Sequence, residues 1–212
     1  MKRVPVAVLA SGEGTNYRAL CSYEDAPYEI ALLMSDRPHA PALEKAREDG
    51  LPTAVFYPGD FPDLSGWERA MVSTLRSFEV EWVVLAGFMR LLSPFFLQAF
   101  PWRVVNLHPS LLPAFRGRDA IARALRRGVT WTGVTVHLVD EGVDRGPIVV
   151  QRPVPILPGD DEGSLTRRIK AAEHHLYPRA LRALLEVPFS VAEGRLIWAD
   201  EREVRRLCGE PF

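Results

Sequence analysis

The chain opens on a continuous apolar run, Val4 to Ala10, that ends in a glycine-rich turn. An unbroken run of that length suits a strand buried on both faces, as in a parallel sheet. A helix is expected from about Asn16, then a second strand over Tyr28 to Met34, closed by Ser35-Asp36-Arg37-Pro38. Pro41 to Asp49 reads as a helix stopped by Gly50, and Ala54 to Phe56 as a short strand. Ser65 to Phe78 reads as a helix, with Ser65 as its N-cap and Glu68 three residues on completing a capping box. Trp82 to Ala86 and Val104 to His108 are apolar enough for two more strands, with a short helix at Pro94 to Ala99 between them. Ala120 to Arg127 is a helix ended by Gly128. Trp131 to Val139 and Ile148 to Val154 read as strands, and the Gly146-Pro147 turn suggests that they pair antiparallel. Ser164 to Leu185 carries a long helical pattern, with an interruption expected around Pro178. Val191-Ala192 and Arg195 to Trp198 flank Glu193-Gly194, the pattern of a small hairpin.

Strands that alternate with helices make this an α/β chain. The expected fold is Rossmann-like: an open, mixed, mostly parallel sheet flanked by helices, with a small C-terminal hairpin. At 212 residues the chain fits one domain, 1–212.

Composition narrows the partners. A net charge of -1 gives no overall pull toward nucleic acid or a membrane surface. No apolar stretch reaches the ~18 residues of a membrane span. Cys21 and Cys208 are far apart and in no metal-type spacing, which argues against a disulfide framework and makes a reducing compartment the default. The opening Lys2-Arg3-Val4-Pro5 lacks the longer apolar region of a secretion signal, so the expected location is cytoplasmic. No His, Cys and carboxylate cluster has the spacing of a zinc site, so no metal is expected, and the chain is left open as a monomer or a homodimer.

The candidate chemistry centres on Val104-Val105-Asn106-Leu107-His108-Pro109. Alternation along a strand puts Asn106 and His108 on one face. Pro109 donates no backbone hydrogen bond, which ends the strand with His108 at its carboxyl end, where ligands bind in open α/β sheets. Asp144, in Asp140-Glu141-Gly142-Val143-Asp144-Arg145-Gly146-Pro147, is the best candidate partner. A carboxylate can orient or charge an imidazole, and an Asn amide can donate to a developing oxyanion. The plainer readings are that Asp144 caps the Gly146-Pro147 turn and that Asn106 and His108 are satisfied strand-end groups. The turn Ser11-Gly12-Glu13-Gly14-Thr15-Asn16 suits a phosphate in principle, or is a tight turn capped by Thr15 or Asn16. It is not a dinucleotide fingerprint, because Tyr17 stands at the third glycine position. His137 reads as a satisfied strand residue, Trp82 and Phe88 as core or pocket wall, and Arg116 and Arg118 as solvated loop charges. His174 and His175 lie on different faces of a helix and make a poor metal site.

Taken in order, several segments resemble the folate-dependent formyltransferases. They are Ser11 to Asn16, Leu85-Ala86-Gly87-Phe88-Met89-Arg90-Leu91-Leu92, Asn106-Leu107-His108-Pro109-Ser110-Leu111-Leu112-Pro113, Gly133 to His137, Val143 to Pro147 and Glu173 to Pro178. The Gly-Thr-Asn turn and the Glu173-His174 pair separate the chain from other branches of that family. The resemblance implies small-molecule substrates, with formyl transfer from 10-formyltetrahydrofolate, a co-substrate, to the amine of glycinamide ribonucleotide, and no metal. It assigns catalysis to Asn106, His108 and Asp144. It assigns the ribonucleotide to Gly14, Thr15, Asn16, Lys170 and Glu173. It assigns the folate to Met89, Arg90, Leu91, Leu92, Asn106, Asp140, Glu141, Gly142 and Val143. In one respect the chain departs from the family, since Leu64 stands where some members offer an arginine to the folate. The alternatives are another folate-dependent amine formyltransferase, acting on a sugar amine, or a non-catalytic nucleotide-binding module. The module has no use for the three catalytic residues together.

Overall fold

A computed structural model of the chain describes residues 2–209; residues 1 and 210–212 of the expected domain lie outside the described residues. The chain forms two compact units, Met1–Asn106 and Leu107–Phe212.

The first unit is a parallel sheet of β1 (Val4–Leu9), β2 (Tyr28–Ser35), β3 (Thr53–Val55), β4 (Trp82–Leu85) and the first part of β5 (Val104–His108), in the order β3-β2-β1-β4-β5. Helices α1 (Thr15–Cys21), α2 (Pro41–Glu48), α3 (Leu64–Ser77) and α4 (Pro94–Ala99) lie between consecutive strands in the chain. Val6 to Ala10 are fully buried, as the unbroken apolar run requires. Because these strands are parallel, the loops that follow β1, β2 and β4 leave the sheet at one edge.

The second unit contains the end of β5, α5 (Ala120–Arg127), β6 (Trp131–Leu138), β7 (Ile148–Pro155), α6 (Glu162–Glu186), β8 (Phe189–Ala192), β9 (Arg195–Trp198) and α7 (Glu201–Cys208). β6 and β7 pair antiparallel, with the register shifting between Val136 and His137. The Gly146-Pro147 turn makes this possible. A Cβ on Gly146 would stand 2.0 Å from the Leu138 carbonyl oxygen, so the chain can pass there only as glycine. Helix α6 packs against β6, β7, α5 and α7. Among the described residues the main sheet has seven strands, in the order β3-β2-β1-β4-β5-β6-β7, beside the separate β8-β9 hairpin. The fold is a Rossmann-like, mostly parallel α/β sheet with flanking helices.

Local details depart from the sequence reading in four places. The cap of α3 is Asp63, whose carboxylate accepts from Gly66 N–H at 2.6 Å, and not Ser65. The Ser65 hydroxyl instead accepts from Arg69 at 2.6 Å, and Glu68, 1% exposed, turns inward to bind Ser93. Helix α1 starts at Thr15 with Gly14 as its cap in the left-handed region, φ 71°, so neither Thr15 nor Asn16 caps it. Helix α6 runs unbroken through Pro178, and in the same turn Arg179 Nη1 donates to the His175 carbonyl at 2.8 Å. Helix α7 was not foreseen, although its Asp200 cap, its Val204/Leu207/Cys208 spacing and Gly209 at φ 66° are ordinary helix signals.

Candidate active site

In the second unit, strand β5 ends at His108, which is 5% exposed. Its Nδ1 lies 3.2 Å from Asp144 Oδ2, and its Nε2 lies 3.0 Å from the Phe115 carbonyl oxygen. Both ring nitrogens therefore face acceptors, and only the imidazolium has a proton for each. Burial works against that form and brings the His108 pKa below its ordinary value, while Asp144 and the Phe115 carbonyl pull it up.

The Asp144 carboxylate is the better defined of the two charges. Its Oδ2 also accepts from Gly117 N–H at 2.7 Å, and its Oδ1 lies 3.6 Å from His137 Nε2. Burial would raise this carboxyl, but the neighbouring His137, the Gly117 N–H and the His108 imidazole outweigh it and hold the pKa at about 2. Asp144 thus stands as a carboxylate at neutral pH beside two imidazoles, and it is not a mere cap of the Gly146-Pro147 turn. The loop from Ala114 to Asp119 is fastened to this pair. Arg116 Nε donates to the Asp144 main-chain carbonyl at 3.1 Å. Arg123 Nη1 donates to the Arg116 and Arg118 carbonyls at 2.5 and 3.3 Å, with its guanidinium 5.9 Å from the centre of the Phe115 ring. Arg116 is therefore a brace as well as a solvated charge.

The remaining candidates of this unit fall in two places. Asp140 to Val143 form a tight turn in which Gly142 N–H donates to the Asp140 side chain at 2.9 Å, and Val143 is exposed. Glu141 is exposed as well. Lys170 and Glu173 stand three residues apart on α6 and so share a face, with Glu173 buried and Lys170 half-buried.

The first unit holds the other candidates. Gly14 is buried, and a Cβ there would stand 2.8 Å from Ala42 Cβ, so turn and helix α2 touch backbone to backbone. Ala42 N–H donates to the Gly12 carbonyl at 3.1 Å, and Lys45 Nζ donates to the Glu13 carbonyl at 2.5 Å. Thr15 and Asn16 are half-buried at the start of α1. Met89 and Leu91 are 50% and 69% exposed, whereas Phe88 between Gly87 and Met89 is buried and stacked on Trp67 at 6.4 Å. Leu92 is buried and Arg90 exposed. The carboxylate of Glu68 accepts from Ser93 N–H at 2.7 Å and from the Ser93 hydroxyl, which fixes the end of that segment. Leu64 is exposed, and Arg69, the nearest replacement for an arginine there, is engaged with Ser65. Asn106 is half-buried on the same side of β5 as His108.

The structure thus joins His108 to Asp144 and gives Lys170 and Glu173 a common face. It also adds groups that sequence reasoning missed. His137 is the main one, and its only sequence sign was a histidine in an alternating strand. The Phe115 carbonyl and the Gly117 N–H have no sign at all, since every residue carries such groups. Among the described residues no group of three or more His, Cys, Asp or Glu side chains is placed to hold a metal ion.

Comparison with known proteins identifies the family. Residues 4–181 match the formyl transferase family. The phosphoribosylglycinamide formyltransferase of Bacillus subtilis is 41% identical over 182 residues, 84% of this chain and 93% of that protein. The trifunctional purine biosynthetic protein adenosine-3 of Drosophila pseudoobscura pseudoobscura is 46% identical over 187 residues, and the chain spans 14% of its length. Among solved structures, glycinamide ribonucleotide transformylase 1 from Symbiobacterium toebii superposes with a TM-score of 0.90 at 41% identity, covering 93% of this chain and 95% of that one. With the match running through most of its length, the chain belongs to the formyl transferase family.

Proposed function

We propose that this chain transfers a formyl group from 10-formyltetrahydrofolate to the primary amine of glycinamide ribonucleotide, a step of purine synthesis, without a metal. The observation that carries the reading is the buried His108–Asp144 pair, 3.2 Å apart at the carboxyl end of a sheet strand. The names of the bacterial relatives, which match nearly end to end, supply the substrates.

The chemistry follows from the donors available. The amine adds to the formyl carbon, and the carbonyl oxygen becomes an oxyanion. His108 and Asn106 donate to that oxygen. In the resting arrangement the Phe115 carbonyl is the acceptor facing His108 Nε2, and the oxyanion takes its place. Asp144 keeps positive charge available on His108 and receives the amine proton through water. Collapse of the adduct breaks the bond to the folate nitrogen, which takes up the proton that Asp144 received and leaves as tetrahydrofolate, returning Asp144 to its carboxylate form. No side-chain nucleophile is needed.

Gly14, Thr15 and Asn16 would hold the ribonucleotide phosphate, and Lys170 with Glu173 the rest of that substrate. Met89 to Leu92, Asn106 and the Asp140 to Val143 turn would hold the folate, with the exposed Met89, Leu91 and Val143 offering apolar contact to its ring. The activity is assigned to one domain, cytoplasmic, as a monomer or a homodimer. The test is a two-substrate assay. Tetrahydrofolate should form only when the formyl donor and glycinamide ribonucleotide are both present, and its absence with folded protein would falsify the reading.

A further inference from the structure

Asp36 follows β2 at its carboxyl end and is 2% exposed. One carboxylate oxygen accepts from the Ser11 hydroxyl at 2.6 Å and the other from Arg90 Nε at 3.0 Å. The Ser11 hydroxyl in turn accepts from Met89 N–H at 3.1 Å, and Ser11 N–H donates to the Gly87 carbonyl at 3.3 Å. Ser11 opens the turn that leads to Gly14, Thr15 and Asn16. Met89 and Arg90 begin the exposed segment after β4. Since β2, β1 and β4 are neighbours in the sheet, one buried carboxylate ties together the loops that follow three adjacent strands.

A buried carboxylate is an expensive way to gain stability, because apolar side chains of similar volume usually do as well. What it supplies is a fixed relation between the groups it bonds. We propose that Asp36 is a positioning residue that couples the ribonucleotide turn to the folate segment, so that ordering either one orders the other. This rests on the substrate assignment above. Coupling of this kind is reciprocal, so each ligand tightens the other by the same factor.

The test compares the wild-type protein with Asp36→Asn and Ser11→Ala. The amide cannot serve both partners as the carboxylate does: with its oxygen toward Ser11 its N–H faces Arg90 Nε, and with its oxygen toward Arg90 the Ser11 hydroxyl proton loses its acceptor. Ser11→Ala cuts the same link from its other end and decides the matter if Asp36→Asn fails to fold. Without ligands, amide hydrogen exchange should quicken at residues 11–16 and 87–92. With ligands, KM for both substrates should rise on the order of tenfold, the size of one lost charge-assisted hydrogen bond, at nearly unchanged kcat. The factor by which tetrahydrofolate tightens ribonucleotide binding should fall toward one. A merely structural role would instead lower the active fraction, seen as reduced kcat at constant KM. Unchanged exchange in both loops, or unchanged KM values and coupling, overturns the inference. A wild-type protein that does not turn over overturns the substrate assignment instead, and the exchange measurement still decides whether Asp36 bridges the loops.

Discussion

The charge on His108 is set by a contest between burial and hydrogen bonding. Asp144 is one of the groups that raise the pKa of this imidazole, so Asp144→Asn should lower it further. Imidazole proton NMR across a pH titration reads this directly, and an unchanged His108 midpoint would remove Asp144 from that role. Losing an oxyanion donor costs on the order of 100-fold or more. Asn106→Ala and His108→Ala should each reduce kcat by about that factor, and near-wild-type rates in both would contradict the mechanism. Asn16→Ala should weaken ribonucleotide binding more than folate binding, which separate titrations of the two ligands resolve. At this scale the candidates His108 and Asp144, which the structure brings within 3.2 Å of each other, were legible in the sequence, because they stand at a strand end and in an acidic loop. Their main-chain partners at Phe115 and Gly117 were not, and neither was the burial of Asp36, which depends on residues 54 positions away in the chain.

At the scale of elements, the strands and crossovers follow the hydrophobic pattern closely, while the caps do not. Ser65 with Glu68 matched a capping box, yet Asp63 won the cap because its carboxylate reaches Gly66 N–H from an extended backbone. Glu68 was then free to be buried against Ser93, a partner 25 residues distant that no local pattern encodes. Thermal or urea denaturation should therefore find Asp63→Ala destabilising by about 1 kcal/mol and Ser65→Ala nearly neutral. The reverse order would restore the cap to Ser65. Pro178 shows the complementary limit. A proline in a helical pattern predicts a break, but the buried Pro178 side chain and the packing of α6 on four other elements keep the helix continuous.

For the molecule as a whole, acid is the informative stress. Asp144 has a lower pKa folded than unfolded, so its contribution to stability is full well above 3.8 and is lost as pH falls toward about 2. His108 is also depressed when folded, so protonating it opposes folding and stability begins to decline below 6.5. Burial lowers His174 and His175 in the same way, so stability followed by denaturant midpoint should fall in two stages on acidification, and His108→Gln should remove part of the upper one. A midpoint flat between pH 7 and pH 5 in the wild-type chain would argue against burial as the dominant influence on His108. The seven strands and their mostly parallel pairing were legible from alternating strands and helices, since each crossover carries its own periodicity and stop signal, whereas their order in the sheet, β3-β2-β1-β4-β5-β6-β7, is set by packing that no local pattern encodes. The pairing of β6 with β7 was legible from the Gly146-Pro147 turn alone.

The hairpin of β8 and β9 offers a practical handle. Glu193 and Gly194 both sit at positive φ, 50° and 71°, in a two-residue turn between short strands whose turn-end residues are exposed. Such a turn tolerates an inserted peptide, because its ends are already held together by the flanking ladder. A fluorescent reporter or affinity tag spliced between those two residues should leave both the fold and the formyl transfer assay intact, giving a labelled protein without touching either terminus.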